Sequence, residues 1–548
     1  MSGTGRPFGG AHSPGAEPPS TGGPGTGQRI GGAHSPGMAS DPRAARPAPA
    51  PAPAHDPEAF PDPVYAETVL APLFEGVKRT YARPMMALNQ AHLVMLVETG
   101  ILTAGEGRDI SRALKAIDDE VDVSALTYTG EHEDYFFLVE AELRQRLGAD
   151  LGGMLHTARS RNDMDHTLFR MDLRMRTDAL VGDLLALAQT LLAKAKSERA
   201  TLIVAYTHGQ PAQPSTFGHY LSAALEVLLS DIARILDARA ALDLCPMGAV
   251  AITTTGFPID RKIVAELLGF VEPKRNSYGC IAAVDYITGL YSALKLPFLH
   301  LGRLVQDFQF WTAFEVGQLH VPGSLVQISS IMPQKRNPVP IEHLRHLASV
   351  TCGHADTIVN TMHNTPFTDM NDSEGEVQQA GHAAFASGSR VARLLAALVG
   401  AVSVNADRVR ATTDAACITI TELADTLVRH ERLSFREAHH IAAATARAVI
   451  AAGQPLGQGF AAFSDAFRDQ CGRDSALTEA AFREAVSPEA FVARRDRFGG
   501  PAPSALSDAF AAYDATLAGL VRRHAAGPAR IAAADRARAA AFSKLMEV

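Results

Sequence analysis

Residues 165–201, DHTLFRMDLRMRTDALVGDLLALAQTLLAKAKSERAT, run without a proline, and their large apolar groups fall at helical steps. Leu168, Met171, Met175, Leu184, Leu187 and Leu191 recur mostly at intervals of three and four, which is one face of an α-helix. At ~1.5 Å per residue this is a rod on the order of 50 Å, where a mean helix has ~11–12 residues. Comparable patterns cover about 215–244, 281–318 with a break expected at Pro297, 341–362 and 374–398. Alternating β-branched runs are nearly absent. Five long helices in succession predict a bundle.

Working outward, the 548 residues suggest roughly three or four units. Residues 1–60 are rich in Gly, Pro and Ala, bury too little surface to fold, and read as a disordered tail. The heptapeptide GGAHSPG occurs at Gly9–Gly15 and again at Gly31–Gly37; it reads as a tandem duplication, with His12 and His34 set aside as metal ligands. Residues 61–157 form an N-terminal helical domain around Val94-Met95-Leu96 and Ile101-Leu102, and 158–404 the central five-helix bundle. Residues 405–505, with shorter patterns broken at Gly453, Pro455 and Gly457, form a small third helical domain. After Gly499-Gly500-Pro501, residues 506–548 are a last helix with an Arg/Ala-rich tail, expected to be solvated. The fold class is all-α with three helical domains.

A net charge of -8 with 20% charged residues lacks the basic face of a general nucleic-acid binder. No run of ~18 uncharged apolar residues predicts a membrane span, and the first residues lack a signal-peptide pattern. Five scattered cysteines (Cys245, Cys280, Cys352, Cys417, Cys471) show neither CxxC nor metal-ligand spacing. They read as reduced thiols of a cytoplasmic protein.

Three polar clusters interrupt the apolar patterns at helix ends. His156-Thr157-Ala158-Arg159-Ser160-Arg161-Asn162-Asp163 precedes the long rod. Arginines beside a helix N-terminus suit a carboxylate ligand. The plainer alternative is a charged helix cap with Ser160 or Asp163 capping, and the residues leave both open. Tyr206-Thr207-His208-Gly209-Gln210-Pro211-Ala212-Gln213-Pro214 offers a histidine for proton traffic or a structural one in a turn. Ser329-Ser330-Ile331-Met332-Pro333-Gln334-Lys335-Arg336-Asn337-Pro338 gathers hydroxyls, a cation and a carboxamide. Its prolines deny it a helical ladder and predict a loop with free backbone groups. Glu342 follows on the next helix. Such a loop suits a small anionic substrate, with a solvated surface loop as the alternative.

In this order, separated by long helices, HTxRSRND, YTHxQxAQP and SSIMPQKxNP resemble the signatures of the aspartase/fumarase superfamily. The full SRND, the QK of MPQK and Phe257-Pro258-Ile259-Asp260-Arg261 resemble its argininosuccinate lyase branch. Ala424-Asp425-Thr426-Leu427-Val428, Ser434-Phe435-Arg436-Glu437-Ala438-His439 and Gly499-Gly500-Pro501-Ala502-Pro503 agree. The resemblance covers about residues 65–510. It implies a homotetramer with a twenty-helix core, each active site drawing the three clusters from three subunits.

It further implies removal of a proton beta to nitrogen on a succinate skeleton, then loss of the nitrogen to leave fumarate. Ser329 matches the base; its alkoxide would need surrounding N–H groups and Lys335. Lys335 and Asn337 would hold the carboxylate that takes up negative charge, where stabilisation counts most. His208, oriented by Glu342, would serve the nitrogen side or assist proton transfer. Arg161, Asn162 and Thr207 would grip the succinyl carboxylates, and Ser160 and Ser330 would also bind substrate. No metal or organic cofactor is implied, and no GxGxxG fingerprint occurs.

The sequence departs from the pattern at several points. Ile328 stands where a glycine usually precedes the paired serines, and Ala158 replaces another glycine. Glu133-Asp134-Tyr135-Phe136 lacks a histidine, and Asn89 falls near the place of an N-terminal serine contact. Argininosuccinate lyases carry a Tyr, a Gln and a Lys after the fourth long helix. This chain has Pro366-Phe367-Thr368-Asp369-Met370-Asn371-Asp372-Ser373-Glu374, without lysine. The expectation is an elimination of an N-substituted aspartate other than argininosuccinate. Argininosuccinate lyase proper and a non-catalytic structural homologue are the alternatives.

Overall fold

The computed structural model describes residues 59–547. The duplicated heptapeptide and nearly all of the expected tail lie outside the described residues. The N-terminal region holds α1 (Ala71–Thr80), α2 (Ala82–Glu98), α3 (Ala104–Glu120) and α4 (Tyr135–Leu147). Thr103 and Glu106 close a capping box at the start of α3, satisfying two of the helix's orphan donors. Leu88, Leu93, Leu96, Ile110 and Leu114 are fully buried between these helices.

Five long helices follow, as the periodicity predicts: α5 (Arg161–Ser197), α6 (Phe217–Ala240), α7 (Asp285–Thr312), α8 (Val339–Thr361) and α9 (Gly375–Ala401). The 37 residues of α5 give a rod of about 55 Å. Each packs against the next, and α9 packs back on α5 to close the ring. Their shared core includes Leu184, Leu187, Leu191, Leu221, Leu225, Leu294, Phe298, Leu344 and Leu395. The expected break at Pro297 does not occur, since α7 runs through it. A helical proline costs ~3 kcal/mol, and here Leu294, Phe298 and Leu301, all buried on the same face, hold the helix on both sides.

Between α5 and α6 the chain makes a β-hairpin that the sequence reading missed. Strand β1 (Leu202–Thr207) pairs antiparallel with β2 (Gln210–Thr216). A shorter hairpin, β3 (Gln327–Ile328) with β4 (Arg336–Asn337), precedes α8. Short helices after residue 405 enclose a separate core of Leu423, Leu427, Ile441, Phe463, Phe467 and Phe482.

The last helix, α10 (Pro503–Glu547), has a largely exposed Arg/Ala-rich end, as expected, but buries one stripe. It lies along α2, α3, α5 and α6. Arg530 pairs with Asp243 at 2.5 Å, Arg538 donates to the Leu267 carbonyl at 3.2 Å, and Phe542 is buried in the N-terminal core. The stretch Asn371–Ala401 is long and apolar enough to cross a membrane, which the sequence reading did not expect; half of its most apolar 18-residue window is buried.

Candidate active site

The first cluster sits at the start of α5, where the residues build a rigid helix entry. Ser160 and Asp163 form a capping box. Asp163 also accepts bonds from the N–H groups of Gly248 and Val250, each at 2.8 Å, so the 248–251 turn is fastened to the helix. Burial pushes the Asp163 carboxyl up to about 6 against the pull of these bonds. The Ser160 hydroxyl donates to Asn162 Oδ1 at 3.1 Å, and Asn162 Nδ2 donates to the Ala251 carbonyl at 3.0 Å. The cap reading of this cluster therefore holds, and the cap orients the polar groups of Ser160 and Asn162.

Ala158 has φ of +58°, the left-handed region that favours glycine, which explains why a glycine suits this position. Asn89 is buried and accepts from Arg159 at 2.6 Å. It is a prop for the cluster rather than a group open to substrate.

Arg161 is less free than its motif suggests. Its guanidinium lies 3.2 Å from Glu133, 2.8 Å from Asp134 and 3.7 Å from Asp165. Asp369 and Glu374, from the rebuilt segment after α8, join this group. Burial, and the neighbouring Glu374, Asp134 and Asp369 charges, push Asp165 up to about 8 against the pull of Arg161. Burial also raises Asp369 and Glu374. Sequence reasoning missed these acids as a group. One signal was present, because Asp165 is four residues beyond Arg161 on one helix face.

The second cluster forms the tip of the β1–β2 hairpin. His208 and Gly209 are its two turn residues, with φ of +54° and +74°, the backbone of the tight turn that matches strand twist. His208 and Thr207 are exposed there.

The third cluster is not the wholly free loop expected. Gln327 pairs with Asn337 and Ile328 with Arg336, and Arg336 donates to the Val321 carbonyl at 3.0 Å. Ile328 thus sits in paired, extended backbone that needs no glycine. Residues 329–335 form the tip. Ser329 Oγ accepts from the N–H of Ile331 at 3.3 Å and of Met332 at 3.0 Å. Two aimed donors favour negative charge on that oxygen. Ser330 and Lys335 are exposed, Asn337 is half-buried and Glu342 is exposed in the first turn of α8.

Among the described residues no hydrogen bond or ion pair joins the three clusters within one chain. Ser160, Arg161 and Asn162 are together; Ser329, Ser330, Lys335 and Asn337 share one hairpin; Thr207 and His208 share another. Glu342 makes no bond to His208. Each cluster lies at the start of a bundle helix or on a hairpin beside one.

Residues 77–353 match the family model described as Lyase, and residues 417–493 match the model described as argininosuccinate lyase C-terminal. The chain is 60% identical over 463 residues to argininosuccinate lyase 2 of Agrobacterium fabrum, covering 84% of this chain and 92% of that one. It is 34% identical over 437 residues to argininosuccinate lyase 1 of Shouchella clausii, covering 79% and 87%. Its structure resembles that of an EDDS lyase variant with bound fumarate, with a TM-score of 0.76 and 27% identity over 87% of this chain and 96% of that one.

Proposed function

The chain belongs to the argininosuccinate lyase branch of the aspartase/fumarase superfamily and is a fumarate-releasing carbon–nitrogen lyase, and we propose that its substrate is an N-substituted aspartate other than argininosuccinate. Ser329 takes the proton from the carbon beta to nitrogen. The electron pair left behind is drawn into the adjacent carboxylate, held by Lys335 and Asn337. The C–N bond then breaks, its electron pair leaves with nitrogen, and a proton delivered on the His208–Glu342 side completes the amine. Ser160, Asn162, Thr207 and Ser330 bind the succinyl carboxylates. Arg161 meets the substrate as a partner already shared with Glu133 and Asp134.

The observation that carries this reading is the pair of backbone N–H groups on Ser329 Oγ. A serine hydroxyl is too weak a base unless its alkoxide is held in place, and preorganised donors do this without reorganisation at the moment of reaction. A substrate other than argininosuccinate is supported by the Pro366–Glu374 segment, which brings Asp369 and Glu374 toward the first cluster. The second reading, argininosuccinate lyase itself, is favoured by the names of its relatives.

Assembly into a homotetramer with shared sites is supported by the separation of the clusters in one chain. It is also supported by exposed Met175, Val227, Leu299 and Phe310 on the bundle helices, since apolar rods need neighbours. Five cysteines without a disulfide fit a reducing compartment such as the cytoplasm. The test is fumarate release, followed by its ultraviolet absorbance, from argininosuccinate and from other N-substituted aspartates. Turnover of the latter with little of argininosuccinate is the expected result. Ordinary enzymatic efficiency on argininosuccinate would overturn the substrate proposal and leave the lyase chemistry standing.

A further inference from the structure

A cavity of about 440 Å³ opens beside the start of α5, lined in part by Arg161 and Asn162. One wall is apolar, with Leu70, Phe74, Met85 and Phe169. The other is acidic, with Glu133, Asp134, Asp165, Asp369, Glu374 and Glu376, against Arg161 as the one cation among the described lining residues. Glu133 and Asp134 already take up that cation. Asp369 and Glu374 share a hydrogen bond, while the Oδ1 atom of Asp369 is buried without a partner. Its neighbour at 3.9 Å is His166 Nε2, fully buried and also unpartnered, while the other ring nitrogen is bonded to the Tyr286 hydroxyl at 3.1 Å. Buried acceptors without donors are costly unless a ligand or water completes them.

Succinyl carboxylates belong with Ser160 and Asn162 at the entry of α5 and with Lys335 and Asn337 of the β3–β4 hairpin. The rest of the cavity, lined by Leu70, Phe74, Asp369 and Glu374, is left for the other end of the substrate. We propose that it receives the nitrogen substituent, and that this substituent is an aliphatic chain bearing a second cationic group and no carboxylate, as in an α,ω-diamine. The inference rests on the lyase reading above and names its leaving group. The chain packs on the Leu70–Phe74 wall while its far ammonium donates to Asp369 and Glu374. Arginine fits less well, because its own carboxylate would meet an acidic wall whose one arginine is already paired.

The experiment runs the reaction backward on the full-length protein, with fumarate and one of three amines: diaminobutane, butylamine or arginine. The amine lone pair forms the C–N bond, and the double-bond pair takes a proton at the neighbouring carbon. Fumarate loss is followed by absorbance and the product by mass. The wild-type protein should use diaminobutane at least tenfold more efficiently than butylamine or arginine. In Asp369→Asn/Glu374→Gln the diamine rate should fall more than the butylamine rate, bringing the two toward parity. Parity in the wild type, preference for arginine, or a diamine preference that survives the double substitution overturns the inference. The wild-type comparison stands even where the double variant does not fold. If no amine consumes fumarate and no N-substituted aspartate releases it, the lyase reading itself falls, which is a different outcome from consumption without diamine preference.

Discussion

At Ser329 two backbone donors converge on one hydroxyl oxygen, and the base role makes a sharp prediction. Ser329→Ala should abolish turnover while the assembled protein keeps its size by light scattering; a variant that retains its rate removes Ser329 as base. Lys335→Gln should cost on the order of 10²–10³ in kcat, as for other single electrostatic donors. Stability follows other residues. Ala158 in left-handed backbone carries roughly 1 kcal/mol of strain, so Ala158→Gly should raise the melting temperature. His92 and His166 are buried, and burial holds both down to about 3. Unfolded imidazole takes its proton near ~6.5, so the unfolded chain binds more protons below that value. The stability these groups contribute is present above ~6.5 and is lost as pH falls toward 3, by about a kcal/mol per pH unit for each. Denaturant titrations between neutral and acid pH should show a decline that His166→Phe lessens, provided the variant folds. The residues proposed to react could be named from the sequence because each sits in a contiguous motif. The acids around Arg161 were not, because Glu133, Asp165 and Asp369 become neighbours only through the fold.

The elements differ in how plainly they were written. The five bundle helices were legible because burial imposes a period of three to four on Leu184, Leu187, Leu191 and their like. The β1–β2 hairpin was hidden because Pro211 and Pro214 within β2 read as breakers, and its pairing shifts register at Ala205/Tyr206. Pro297 misled in the opposite sense, since the core around it outweighs its local cost. The α5 entry unites structure and chemistry: Ser160→Ala removes the cap oxygen and the bond to Asn162. It should lower stability by about 1 kcal/mol and weaken substrate binding, read as a rise in KM. A rise in KM without loss of stability would separate the two roles.

Over the whole molecule, the proposed sites between chains carry their own prediction. Mixing Ser329→Ala with His208→Ala protein under conditions that exchange subunits should restore activity that neither parent shows. Mixed assemblies would contain some sites free of both changes. Persistent inactivity in mixed tetramers would count against shared sites. The path of α10 has a separate consequence, for the timing of synthesis. Phe542 fills a core whose other members, Leu93, Leu114 and Phe169, come some 370 to 450 residues earlier. At roughly 5–20 residues per second, a ribosome needs tens of seconds to span that interval. For that time the nascent N-terminal helices stand with an open seam, exposed to chaperones and proteases, until the last helix arrives to seal it.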